Sequence, residues 1–207
     1  LMFHYGDHSN HLGVLLQAAR DAAVLVGGNH VLWLHPQPGA RTEESQFRCG
    51  PDSVVTAPWV RLKCQFGCPG YGRGYCCPPH TPTHEETRSV LNAYQRAILF
   101  HIEAPKTEDR GKRYRAYMDM LVRLEGEMFK DGYYKAFVFL AGPCLKCKKC
   151  GKLEGTPCVH MESARPAMEA CGIDVYQTAR NNGFFIEPLR EKSDQDALIK
   201  RSKKHSL

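Results

Sequence analysis

The chain has 207 residues, 43% of them hydrophobic, and a formal charge of +6 from 28 basic and 22 acidic side chains. That is enough apolar material for one sizeable domain or two small ones with a real core, so a disulfide-stapled miniprotein is excluded. No run of eighteen apolar residues is present to cross a membrane, and so modest a charge does not argue for nucleic acid.

Residues 12–26 (LGVLLQAARDAAVLV) predict a helix. Arg20 and Asp21 interrupt the run and no basic stretch precedes it, so no secretory leader is expected. HVLWLH, at 30–35, reads as a strand, and a Pro/Gly/Glu loop follows to about residue 50. VVTAPWVRLKC, from Val54 to Cys64, reads as a strand that Pro58 marks as an edge or bulge. Thr83 and Glu86 form a capping box that starts a helix running to about Gln95. AILFHIEA is a further strand. Between Gly111 and Lys130, Tyr114, Tyr117, Met118, Leu121, Leu124 and Met128 recur at helical spacing, which predicts an amphipathic helix with these residues in the core. YYKAFVFLAG is the next strand, Asp174–Asn181 the next helix, ended by Gly183, and FFIEPL the last strand. Alternating strands and helices predict an α/β fold, a mixed sheet flanked by helices and carrying two cysteine-rich metal-binding loops. The expected organisation is an N-terminal segment over 1–50, a metal-binding α/β domain over 51–190 and a basic, solvated tail over 191–207.

The chemistry concentrates in the cysteines. Eight of the ten sit in two short loops, Cys64, Cys68, Cys76 and Cys77 in one and Cys144, Cys147, Cys150 and Cys158 in the other. In a reducing, cytoplasmic setting such clusters bind metal more often than they form disulfides. The CxxCxxC spacing of Cys144, Cys147 and Cys150 suits three corners of an iron–sulfur cubane, with Cys158 as the fourth ligand and Lys146, Lys148, Lys149 and Lys152 offsetting its charge. Zinc is the alternative at this loop. In the first loop, Cys64 and Cys68 resemble the start of a radical-SAM motif, but position 71 is Tyr71, which disfavours that chemistry. Neighbouring side chains in an extended segment point apart, so Cys76 and Cys77 are not expected on one metal. Cys77, stiffened by Pro78 and Pro79, joins Cys64 and Cys68, while Cys76 reads as an apolar filler. That leaves one iron open to a substrate or to His80, which is otherwise a turn histidine. Tyr71, Arg73 and Tyr75 are either ligand contacts or loop decoration. Cys171, beside Gly172, either packs at a helix end or is a spare ligand, and Glu162, Arg165 and His160 are similarly open.

The stretches RLKCQFGCPGYGRGYCCPPHTPTHEETR and FLAGPCLKCKKCGKLEGTPCVHMESARPAMEACGIDV resemble a family of uncharacterised predicted metal-binding proteins of anaerobic bacteria and archaea. The resemblance covers about residues 54–187 and implies Cys64, Cys68 and Cys77 as one ligand set and Cys144, Cys147, Cys150 and Cys158 as the other. It leaves Cys49 and Cys76 unassigned and names no reaction. The expectation is a cytoplasmic protein with two [4Fe–4S] clusters, relaying electrons to a redox partner protein or small molecule. Its rivals are an enzyme using the open iron to activate a small substrate and a zinc-stabilised interaction module. No P-loop, dinucleotide glycine motif or Ser/His/Asp order competes.

Overall fold

The computed structural model describes residues 28–35, 48–103, 110–184 and 186. The expected helix over 12–26 and the basic tail over 191–207 lie outside the described residues. Four strands, β1 (Gly28–His35), β2 (Arg48–Cys49), β3 (Arg96–Glu103) and β4 (Phe137–Phe139), form one sheet in the order β2-β3-β1-β4. Every ladder in it is antiparallel: Leu32 of β1 faces Leu99 of β3 on one side and Phe139 of β4 on the other. Among the described residues four α-helices accompany it, α1 (Pro58–Gly67), α2 (His84–Asn92), α3 (Arg110–Lys130) and α4 (Val175–Asn181), and helix is more extensive than strand.

The mixed α/β sheet is therefore corrected to a small antiparallel sheet in a largely helical chain. The physical reason is an insertion. Strand β3, helix α3 and strand β4 do alternate as the sequence suggests, and β3 and β4 run the same way. The early strand β1 lies between them and pairs with both, so no two ladder neighbours are parallel. The metal-binding character given to the two loops is corrected with the site below.

Val54 to Cys64 is not a strand. Helix α1 begins at Pro58, whose fixed φ suits a first helical turn and whose missing N–H would have had no partner there. Only Thr56 makes a β-bridge, antiparallel to Ile173. Cys64 is thus carried on a helix, and Cys68 caps that helix through an N–H bond to the Cys64 carbonyl, 3.3 Å. The capping box of α2 is formed as expected: Glu86 N–H donates to Thr83 Oγ1 (3.2 Å) and Thr83 N–H to Glu86 Oε2 (2.7 Å), although the helix ends at Asn92. On α3, Met118, Leu121, Leu124 and Met128 are buried as the spacing predicts. Phe184 and Ile186 are not in a strand, and the rest of FFIEPL lies outside the described residues.

The core joins Val54, Leu91, Leu99, Phe139, Met168 and Ile173. Met168 N–H and Leu140 N–H, donating to Leu140 O and Pro166 O at 2.8 Å each, tie the end of β4 to the turn that leads into a short 3-10 helix, Glu169–Cys171. Gly172 ends that helix at φ 76°, and Ala57 N–H donates to its carbonyl at the start of α1. A Cβ on Gly172 would lie 2.7 Å from His84 Cβ and 2.9 Å from His84 Cα. Gly172→Ala combines a left-handed backbone with a clash against the first residue of α2. It should lower stability by about 2–3 kcal/mol, read as the urea midpoint. An unchanged midpoint would show that this junction is loose.

Candidate functional site

Both cysteine loops leave regular elements on one side of the core and face each other. Arg61 of α1 clamps the first loop to the 3-10 turn, donating to Thr81 Oγ1 (2.9 Å), Pro82 O (2.8 Å) and Ala170 O (2.6 Å). Tyr75 Oη donates to Thr156 O at 2.8 Å, and Lys152 Nζ stands 5.8 Å from the Tyr75 ring centroid, so the loops also touch directly. Between them lies a cleft of about 530 Å³ lined by Cys76, Cys77, Cys144, Cys147, Cys150 and Cys158. Gly70 lies against two of the sulfurs: a Cβ there would meet Cys77 Sγ at 3.5 Å and Cys68 Sγ at 3.6 Å, both ordinary contacts.

Cys64, Cys68 and Cys77 are neighbours in the first loop and Cys144, Cys147, Cys150 and Cys158 in the second, each thiol felt electrostatically by others of its set. Cys77 is raised by burial and by Cys68 and Cys64, and Cys76 and Cys144, from the two loops, line the same cleft and shift each other's ionisation in opposite directions. Cys76 is therefore not an apolar filler. His80 is an exposed turn residue near Tyr75, with ring centroids 6.3 Å apart. Cys171 is buried, its thiol pushed up to about 12 by burial.

The electrostatics divide the thiols sharply. Cys144 is held down at about 6, first by the hydrogen bond from Cys76, then by the Lys146 backbone N–H, the Lys146 charge and His160. Its partner Cys76 is driven the other way by the same hydrogen bond and by burial, and keeps its proton. Burial and neighbouring cysteines raise Cys64, Cys77 and Cys147 as well. Cys144 is exposed and Cys76 half-buried. Lys146 Nζ meets Asp119 Oδ1 of α3 at 2.6 Å. Glu169 accepts from the Gly142 N–H, yet its Oε2 is buried without a hydrogen-bond partner, and burial raises its pKa.

This combination defines a cysteine-rich α+β protein with two facing thiol loops. The chain belongs to the predicted metal-binding protein family DUF2284, whose profile matches residues 49–199. No curated protein and no solved structure matches it significantly.

The family description implies a metal, and the donors argue against one in this arrangement. Among the described residues, no group of three or more His, Cys, Asp or Glu side chains is set to hold a metal ion. The two [4Fe–4S] clusters, the open iron site, the cluster-borne electron relay and the zinc alternative are corrected accordingly. Spacing within each loop matched a cluster motif, but it carried no information on the contact between the loops, where one thiol is turned onto another. No helix among the described residues is long and apolar enough to cross a membrane.

Proposed function

We propose that the chain is a dithiol protein that exchanges disulfides through Cys144 and Cys76, with a disulfide-bearing small molecule or protein as its redox partner. The carrying observation is that Cys76 and Cys144, from different loops, line one cleft, where each shifts the other's ionisation in the opposite direction. An exposed thiolate backed by a half-buried thiol matches the arrangement that disulfide exchange needs, an attacking sulfur and a resolving one. Cys144 thiolate attacks one sulfur of the partner disulfide, forming a mixed disulfide and releasing the first thiolate, which takes up a proton. Cys76 then loses its proton and attacks Cys144 Sγ, releasing the second thiolate. One disulfide and two hydrogens from the dithiol become two thiols and an internal Cys76–Cys144 disulfide. A thiol or dithiol donor restores the reduced pair. A cytoplasmic setting, in which thiols stay reduced, suits this reading, and both loops lie within residues 51–190. The remaining loop cysteines, Cys64, Cys68, Cys77, Cys147, Cys150 and Cys158, shape the cleft around the pair.

The test is competitive alkylation of the reduced chain between pH 5 and 9, followed by peptide mapping. Cys144 should label first, with its rate rising through pH 6 and levelling above pH 7 as the thiolate share saturates, in keeping with a value of about 6. Stoichiometric diamide should yield the Cys76–Cys144 disulfide. A different first-labelled cysteine, or a stoichiometric metal retained through anaerobic purification, would sink the dithiol reading.

A further inference from the structure

Helix α1 presents its apolar residues to the outside. Its inward side carries Val60, which is buried, and Arg61, which donates to Thr81 Oγ1, Pro82 O and Ala170 O. Its outward side carries Trp59, Leu62, Lys63 and Phe66, whose spacing of i, i+3, i+4 and i+7 puts them on one face. Trp59 is 45% exposed, Leu62 53% and Phe66 80%, so the stripe is continuous along the helix. Helix α2 has the opposite arrangement, with Glu85, Glu86, Ser89 and Asn92 exposed and Leu91 buried. Because Arg61 ties α1 to the first loop and to the 3-10 turn, the stripe is held outward.

Charge accompanies the stripe. From Ser53 to His84 the chain has no acidic residue, whereas Arg61, Lys63 and Arg73 are basic, and Lys63 and Arg73 are exposed. A second copy is a poor cover for this face, because a two-fold contact along α1 would bring Lys63 toward its own copy. The exposed apolar area is on the order of 300–400 Å², less than the roughly 800 Å² that each side of a standard protein interface buries. The surface of an anionic bilayer fits better. Tryptophan and phenylalanine settle at the level of the headgroups, leucine reaches the acyl boundary, and a lysine among them extends its ammonium to a lipid phosphate. A contact of this kind lies on the surface and needs no helix able to cross it.

We infer that the outward face of α1 is a peripheral docking surface for an anionic lipid bilayer, with Trp59, Leu62 and Phe66 entering the headgroup region and Lys63 meeting lipid phosphate. The positive field of the acid-free stretch draws the protein to the surface, and the apolar stripe retains it there. The inference goes beyond the dithiol reading and uses none of the loop cysteines.

The probes are two kinds of vesicle, one of phosphatidylcholine alone and one of phosphatidylcholine and phosphatidylglycerol in equal parts. In co-sedimentation the full chain should partition to the anionic vesicles roughly tenfold more strongly than to the neutral ones, and high salt should narrow the difference. Lipids brominated on the acyl chain should quench the tryptophan emission, and Trp59→Phe should abolish that quenching. The double variant Leu62→Gln/Phe66→Gln should lose about tenfold or more of the anionic partitioning and keep its urea midpoint, since both side chains are exposed. Lys63→Glu leaves the stripe whole and should lower the anionic partitioning by roughly tenfold. Partitioning that survives in the double variant and vanishes in salt would assign the attraction to another basic segment, such as the run from Lys200 to Lys204, and overturn the inference. A concentration-dependent dimer in sedimentation velocity, dissolved by the double variant, would give the face to a second copy instead. A monomer that binds neither vesicle would also overturn it and leave a groove on another protein as the cover.

Discussion

Replacing Cys76 by alanine should move the pH midpoint of Cys144 alkylation upward from about 6 toward the ordinary thiol value of 9.0. The hydrogen bond from Cys76 is the largest influence holding Cys144 down, and the Lys146 N–H, the Lys146 charge and His160 remain after its loss. The rate at pH 7 is a poorer gauge than the midpoint. Over the full range the thiolate share at pH 7 would fall roughly ninetyfold, but a more basic thiolate is intrinsically more nucleophilic and recovers about twentyfold, leaving a net loss of about fourfold. The variant should also hold the mixed disulfide longer than the parent protein, because Cys76 is gone and only the other cysteines of the cleft are left to resolve it. Quantifying the Cys144 peptide after alkylation at a series of pH values checks the first point, and intact mass after adding 2-hydroxyethyl disulfide checks the second. A midpoint that stays near 6 would mean that Cys144 owes its acidity to the lysine and histidine alone.

Glu125→Ala should cost about 3–5 kcal/mol, the usual effect of breaking a buried ion pair by removing one partner. Glu125 lies on α3 at 8% exposure and holds three donors: Arg165 Nη2 at 2.5 Å, Arg165 Nε at 3.1 Å and the Val138 N–H of β4 at 2.7 Å. Its loss strands a guanidinium and a strand N–H together. Glu125→Gln still accepts from Val138 and should recover part of the loss, so the two variants separate the charge from the hydrogen bond. Urea unfolding gives both values. A loss below about 1 kcal/mol for the alanine variant would place this pair among weak surface contacts. Because Arg165 also lines a cavity beside Cys144, the same variant should loosen the loop that carries His160.

Local signals were legible where the physics is local. The Thr83–Glu86 capping box, the buried stripe on α3 and the left-handed glycine after Cys171 all rest on contacts within a few residues, and all are present. Pro58 was misread because its two common settings, strand edge and first helical turn, look alike beside Val54 and Val55. Trp59, Leu62 and Phe66 follow it at helical spacing and are exposed in α1, so no buried stripe marked the helix. The sheet was misread for a different reason. Nothing between Arg96 and Phe139 says that β1, from more than sixty residues upstream of β3, will stand between β3 and β4. The site was half legible. The two cysteine loops were plain from spacing, whereas the shared cleft of Cys76 and Cys144 depends on how the loops are set by Arg61, Tyr75 and the 3-10 turn.

The placement of β1 has a bearing on how the family region can stand by itself. The family profile begins at residue 49, after β1 has ended at His35, yet that strand supplies the partner for both β3 and β4. A fragment starting at residue 49 would keep both cysteine loops and lose the middle of its sheet, leaving a vacant slot edged by two rows of unsatisfied backbone amides and carbonyls. A separate peptide carrying Gly28–His35 has the hydrogen-bonding pattern to fill that slot, so adding it should restore the missing strand to such a fragment.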